Sequence, residues 1–198
     1  MRLAVIDSGG ANLASLVFAV ERLGISAEVT ADPKVLRSAS HVILPGVGAA
    51  ADCMARLREA DLIDTIKTLE QPLLGICVGM QLLFEFSEEG NVPCLGLLPG
   101  SVRRLPDKDT LPVPHMGWNQ LEFDPAQAGR LLEDVAPGDY VYFVHSYCAP
   151  VSEHTLASTT YGERFSSVVR RGNVFGVQFH PERSSRTGSL LLRNFLLS

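Results

Sequence analysis

One α/β domain over residues 1–198, with a mixed, largely parallel central sheet flanked by helices, is the architecture this sequence predicts. Three observations carry the prediction. The N-terminal half alternates short apolar runs with helically spaced ones, as strands joined by crossover helices do, and that alternation builds a parallel sheet. The C-terminal half, from Gly100 to Phe179, is rich in strand patterns punctuated by turns, which makes the sheet mixed. A chain of 198 residues with 46% hydrophobic and 20% charged side chains can bury one sizeable core but is too short for two comfortable ones.

Taken in order, Leu3 to Ile6 is a strand that runs into Asp7-Ser8-Gly9-Gly10. Leu13, Leu16, Val17, Val20 and Leu23 follow helical spacing, and Gly24 is placed to cap that helix. Ala27 to Thr30 is a second strand. Asp32-Pro33 opens a short helix, Asp as cap and Pro in the first turn. His41 to Leu44 is a third strand, stopped by Pro45-Gly46-Val47-Gly48. Ala49 to Leu57 and Leu62 to Leu69 are helical, and Leu73 to Ile76 is a fourth strand. Tyr140 to Tyr147, Leu156 to Tyr161, Phe165 to Val169 and Val174 to Phe179 are the later strands, with turns at Pro106-Asp107, Pro137-Gly138 and Arg171-Gly172-Asn173. A last helix spans about Gly188 to Leu197. No repeat, low-complexity segment or linker interrupts the pattern.

Composition narrows the function. Net charge is −5, the basic residues are scattered, and no block of five like charges occurs, which argues against a nucleic-acid partner. The longest apolar runs are broken by Gln81 or Arg193 and fall short of the ~18 residues of a membrane-spanning helix. The apolar stretch after Met1 is too short for a secretory signal, so the expected location is the cytoplasm. Of four cysteines, none forms Cys-x-x-Cys and none has a His at metal-ligand spacing, so neither a metal nor a disulfide framework is expected. Cys53, Cys94 and Cys148 lack glycine flanks and read as free packing thiols.

Cys77 is different. Gly75-Ile76-Cys77-Val78-Gly79 follows Leu73-Leu74 and precedes the helix-like Met80-Gln81-Leu82-Leu83-Phe84. Strand, tight turn and helix form a nucleophile elbow. Glycines relieve the crowding of that turn, and the N–H groups and dipole at the helix start favour a thiolate. Elbow geometry also assigns the Val78 N–H, next after the nucleophile, to an oxyanion hole. Taken alone the pattern fits equally a cysteine buried on a core strand. A second feature shifts the balance: Phe175-Gly176-Val177-Gln178-Phe179 ends in His180-Pro181-Glu182. Pro181 biases His180 toward extended backbone, and residues i and i+2 of an extended segment point the same way. Glu182 can then orient the His180 imidazole, completing a nucleophile–base–acid set. In open α/β sheets ligands gather at the carboxyl ends of strands, where the Asp7 loop, Pro45–Gly48, Cys77 and His180 all fall. Gly9-Gly10 after a strand could cradle a phosphate but lacks Gly-x-Gly-x-x-Gly.

Pro45-Gly46-Val47-Gly48, Gly75-Ile76-Cys77-Val78-Gly79-Met80-Gln81 and His180-Pro181-Glu182 resemble, in order and spacing, the three motifs of the class I, triad-type glutamine amidotransferases. Within that class, Pro114-His115-Met116-Gly117-Trp118-Asn119 and Tyr142-Phe143-Val144-His145-Ser146-Tyr147 are similar to the glutaminase subunits of imidazole glycerol phosphate synthases, and the likeness covers essentially the whole chain. The resemblance implies a flavodoxin-like fold and hydrolysis of glutamine to glutamate and ammonia, for histidine biosynthesis. Ammonia passes to a (β/α)8-barrel cyclase subunit in a heterodimer, with no cofactor. It implies Cys77 as nucleophile, His180 as base then acid, Glu182 as its orienting partner, and the Val47 N–H as second oxyanion donor on a peptide that flips. Gly46 would tolerate both orientations of that peptide. It further implies that Gly46, Gly48, Gln81, Ser146 and Tyr147 lie around the glutamine, and that Asn12, Trp118, Tyr142 and Arg183 face the cyclase. Trp118, after Gly117 and before polar Asn119 and Gln120, reads as exposed. The sequence departs from the family pattern at Ser8, Ala11 and Arg183, usually Tyr, Gly and Lys, all toward the docking side. A glutaminase for another acceptor, a γ-glutamyl hydrolase-like cysteine hydrolase, and a binding module with an idle site remain alternatives at this point.

Overall fold

The computed structural model describes residues 1–7, 13–107 and 111–198, so Ser8, Gly9, Gly10, Ala11 and Asn12 lie outside the described residues. In the N-terminal half the elements are β1 (Leu3–Ile6), α1 (Ala14–Glu21), β2 (Ala27–Thr30), α2 (Pro33–Ser38), β3 (His41–Gly46), α3 (Ala50–Glu59), α4 (Ile63–Lys67), β4 (Leu73–Cys77) and α5 (Val78–Leu82). The C-terminal half adds β5 (Phe86–Ser87), β6 (Val92–Pro93), β7 (Ser101–Arg104), β8 (His115–Gln120), β9 (Tyr140–His145), β10 (Tyr147–Cys148), β11 (Thr155–Tyr161), β12 (Glu163–Arg171), β13 (Val174–Val177) and α6 (Ser185–Leu196).

The central sheet runs β11-β12-β13-β4-β3-β1-β2. The strands from β2 to β13 are parallel, and β12 and β11 continue antiparallel. β1, β3, β4 and β13 are buried at every residue. Such strands must be apolar on both faces, which is why they read as continuous apolar runs. A small sheet, β10-β7-β5-β6, and a ribbon of β8 and β9 lie apart from it. The aromatic side of the core gathers Phe143, Phe165 and Phe179, with Phe143 edge-on to the other two at 5.7 and 5.9 Å.

The local signals operate as read. Asp32 accepts from the Lys34 N–H at 2.8 Å to cap α2, and Gly24 turns the chain at φ +79° after α1. Several boundaries differ from expectation: β3 runs through Pro45 to Gly46, α4 is shorter than Leu62 to Leu69, β9 stops at His145, and β12 extends beyond Phe165 to Val169 at both ends. Two more concern the approach to His180 and the helix after it. The strand expected to reach Phe179 ends at Val177, paired with Ile76. One residue later β4 turns into α5, so no parallel ladder remains for Gln178, whose N–H bonds the Ser167 carbonyl instead. The last helix begins at Ser185, earlier than Gly188. Gly188 lies inside it, and is glycine because a Cβ there would collide with the Pro181 carbonyl.

Candidate active site

β4 delivers Cys77 to the carboxyl edge of the sheet at φ +54°, ψ −113°, and α5 begins at the next residue. A left-handed φ at a non-glycine residue stores strain, and here it aims the thiol out of the strand. The flanking glycines have a steric cause. A Cβ on Gly79 would overlap the Leu44 carbonyl of β3, and one on Gly75 would come within 2.7 Å of the Gly79 carbonyl oxygen.

His180 stands beside this turn. Its Nδ1–H donates to Glu182 Oε1 at 2.8 Å, and its backbone N–H holds the Tyr142 carbonyl at 2.9 Å. His180 is extended, as expected, but Pro181–Arg183 is a 3-10 turn. The expectation that Glu182 reaches the imidazole along an extended i, i+2 segment is therefore corrected: with no strand partner left, the chain winds, and the winding brings the carboxylate round. Burial opposes charge on His180. Hydrogen bonds to Cys77 and Glu182, with their negative charge, outweigh it and lift the imidazole to about 10. The set thus favours the imidazolium form of His180 beside the Cys77 sulfur. Glu182 Oε2 is buried and has no hydrogen-bond partner among the described residues.

A cavity of about 300 Å³ opens over Cys77. Val47, Gly48, Val78, Gln81, Ser146, Tyr147 and His180 all line it. Gly48 takes φ +85° in the loop after β3. Gly46 does not line this cavity; it borders a smaller one of about 30 Å³, shared with Val47, His180 and Glu182. Its glycine has a packing cause besides the one read in sequence. Gly46 pairs with Cys77 in the ladder, and a Cβ would lie 2.5 Å from the Gly79 nitrogen. Close packing on the elbow already requires Gly there, whatever the Gly46–Val47 peptide does. The Val47 carbonyl accepts from the Cys53 thiol at 3.4 Å, which ties the loop to α3.

Two polar residues of the site escaped the sequence reading. Glu89 lines the main cavity, with Oε2 accepting from the Ala50 N–H at 2.9 Å, and burial raises its carboxyl above the usual range. Gln178 is fully buried and donates from Nε2 toward Cys77 Sγ at 3.9 Å. The signal for Gln178 was its place two residues before His180; Glu89 sits in an ordinary charged turn and gave none. His145 also lines the cavity, but both its ring nitrogens are engaged, with the Tyr147 carbonyl and with His115. The other thiols are placed as packing groups: burial raises Cys53, takes Cys94 to about 11 and Cys148 to about 12.

Next to the site, β8 and β9 expose one face. Trp118 is 52% and Met116 63% exposed, and Tyr142 meets Trp118 edge-on at 5.9 Å. Arg183 is exposed beside Glu182. Asn12, grouped with them in sequence, lies outside the described residues. No helix among the described residues is long and apolar enough to cross a membrane.

The family model for glutamine amidotransferase class-I matches residues 4–198. The imidazole glycerol phosphate synthase subunit HisH of Xylella fastidiosa is 52% identical over 194 residues, covering 98% of this chain and 96% of that one. The HisH subunit of Xanthomonas campestris is 54% identical with the same coverage, and that of Vibrio parahaemolyticus is 49% identical, covering 98% and 97%. Among solved structures, one described as a glutamine amidotransferase superposes with a TM-score of 0.75 at 23% identity, covering 98% of this chain and 97% of that one. The glutaminase domain of Trypanosoma brucei CTPS with bound acivicin gives 0.66 at 14%, covering 100% and 94%. At these identities the two structures bear on the fold alone.

Proposed function

Because the chain belongs to the class-I glutamine amidotransferase family, as a glutaminase subunit of imidazole glycerol phosphate synthase, we propose that Cys77, His180 and Glu182 hydrolyse the glutamine carboxamide. The observation that carries this reading is one constellation: a thiol held at φ +54° on a strand end, open to a cavity, beside an imidazole lifted to about 10 and anchored to a carboxylate at 2.8 Å.

An amide carbon is a weak electrophile and amide nitrogen a poor leaving group, so the reaction needs a thiolate and a proton donor together. His180 meets both needs in turn, as a base that takes the Cys77 proton and then as an acid that returns it. Sγ attacks the carboxamide carbon, and the N–H groups of Val78 and Val47 receive the oxyanion. His180 gives its proton to the departing nitrogen, and ammonia leaves. Water, deprotonated by His180, then cleaves the thioester to glutamate. Gln81, Gly48, Ser146 and Tyr147 hold the substrate around the nucleophile, and Glu89 supplies a carboxylate for its ammonium.

The relatives' description as a synthase subunit supports a partner. We assign the partner as a (β/α)8-barrel cyclase that docks on the Trp118, Tyr142 and Arg183 face, Asn12 included, and receives the ammonia. The small cavity against His180 and Glu182 supports an exit there, being large enough for about one small molecule.

The test is glutaminase activity of the chain alone, with the barrel subunit, and with that subunit plus its nucleotide ligand. The expected result is near silence alone and strong activation in the full complex. Cys77→Ala should abolish glutamine hydrolysis while the complex still makes product from added ammonium. Substantial glutamine hydrolysis by Cys77→Ala would overturn the nucleophile, and full activity of the isolated chain on γ-glutamyl substrates would favour a free-standing cysteine hydrolase.

A further inference from the structure

Gln81 is buried, and its Oε1 has no hydrogen-bond partner among the described residues. The rest of its amide is fully used. Nε2 donates to the Tyr147 carbonyl at 2.8 Å and to Gln178 Oε1 at 3.1 Å. The Tyr147 carbonyl accepts a second bond from His145 Nδ1, also at 2.8 Å. A carbonyl can only accept. Gln81 must therefore present its NH₂ group to it, and His145 must carry its proton on Nδ1.

These assignments propagate. His145 Nε2 becomes an acceptor, so His115 Nδ1, at 3.0 Å, must be the donor. His115 Nε2 then accepts from Asn119 Nδ2 at 3.3 Å. The second Asn119 proton goes to the Thr160 carbonyl at 3.1 Å, and its oxygen accepts the Gln120 N–H at 2.8 Å. In the other direction Gln178 offers its oxygen to Gln81, so its NH₂ end faces the Cys77 sulfur. One carbonyl thus dictates three amide orientations and both tautomers from strand β8 to the Cys77 sulfur.

We propose that His115 and His145 are positioning residues for glutamine hydrolysis: their one-way hydrogen-bond chain from β8 holds Gln81 so that its single unpartnered oxygen is left for an N–H donor of the substrate. The proposal rests on the reading of Gln81 as a glutamine-holding residue. Its requirement is that both rings stay neutral. Burial supplies that, lowering His115 to about 4 and His145 to about 3. The chain also begins next to Trp118, and on the paired strand β9 Tyr142 meets Trp118 while Val144 and His145 line the cavity.

The test compares three variants in the assembled synthase, with KM and kcat for glutamine and melting temperature as readouts. His145→Phe preserves the ring that packs edge-on to Phe165 at 5.0 Å but removes both nitrogens. It should raise KM about tenfold, as loss of one buried hydrogen bond implies, with a smaller change in kcat. His145→Asn loses the ring but keeps a donor toward the Tyr147 carbonyl. It should stay within about threefold of the native KM, since that bond survives, although it melts lower. A packing role predicts the reverse order, Phe tolerated and Asn not, and that result would overturn the proposal. Gln81→Met separates this inference from its premise. If it raises KM and His145→Phe does not, the histidine chain alone is refuted; if KM is unchanged in Gln81→Met, the reading of Gln81 fails and takes the chain with it. Should His145→Phe not fold, Asn119→Leu breaks the same chain from its less buried end. It should raise KM several-fold, and an unchanged KM would count against the proposal.

Discussion

Replacing Glu182 with Gln is the most exacting probe of how this site holds charge. His180 is lifted from 6.5 to about 10 against the pull of burial, by Cys77 and Glu182 together. At 1.36 kcal/mol per tenfold, that net preference for the imidazolium is on the order of 5 kcal/mol. A charge-assisted hydrogen bond such as that from Nδ1 to Oε1, at 2.8 Å, contributes about 1.5–3 kcal/mol. Gln keeps an acceptor oxygen but loses the charge, so roughly half of that contribution should go, and His180 should titrate about one pH unit lower. The new NH₂ group would stand where Oε2 is now buried without a partner, at a further cost of about 1–3 kcal/mol in stability. NMR titration of the imidazole signals, with His180 identified by its loss in His180→Gln, reads the first effect. Chemical unfolding at several pH values reads the second. The raised imidazole contributes stability that is complete below its unfolded value near 6.5 and is lost as pH rises through about 10. The electrostatic part of the Glu182→Gln deficit should therefore be largest near pH 6 and fade toward pH 10. The orphaned-amide part should persist. An unchanged His180 titration in Glu182→Gln, or a deficit that grows with pH, would refute the reasoning.

Other expectations follow from the same geometry. Gly46→Ala should lose both glutamine binding and turnover and should melt lower, because its Cβ meets the Gly79 nitrogen at 2.5 Å; loss of turnover with binding and stability intact would restore a purely conformational role for Gly46. Under native conditions at pH 8, iodoacetamide should modify Cys77 alone, since it opens on the cavity while burial raises Cys53 and pushes Cys94 and Cys148 to about 11 and 12; mass spectrometry of peptides decides it. Trp118→Ala should weaken assembly with the barrel subunit by about 2 kcal/mol or more, roughly thirtyfold in Kd. Arg183→Ala should lower ligand-induced activation more than it lowers Kd. Unchanged assembly and activation in both variants would move the interface elsewhere.

What could be read in advance was what local chemistry dictates. Continuous apolar strands, the Asp32 cap, the Gly24 stop and Gly75, crowded by Gly79, each carry their cause within a few residues. What could not be read depends on neighbours distant in sequence. The turn at Pro181–Arg183 winds because β4 ends at Cys77, about a hundred residues earlier. Gly46 is glycine because α5 crosses over it, and Glu89 becomes a cavity residue only through its bond to Ala50. His115 and His145 were visible only as members of recognisable segments. Their tautomers follow from the Tyr147 carbonyl between them and Gln81, which no spacing reveals.

The order β13-β4-β3 has a mechanical consequence. The loop that opens beyond Gly46, the thiol of Cys77 and the chain leading to His180 leave the sheet from three adjacent parallel strands, in registers that pair Gly46 with Cys77 and Val177 with Ile76. Adjacent strands are spaced at about 4.8 Å by their backbone hydrogen bonds, whatever side chains they carry. The sheet therefore acts as a ruler. Alignment among the Val47 loop, the Cys77 thiol and the His180 ring is inherited from a backbone repeat distance, and side-chain drift elsewhere in the core leaves it in place. A slip of one residue along β4 or β13 would instead carry the site out of alignment by a whole step, so tolerance to substitution and intolerance to insertion should coexist in the same three strands.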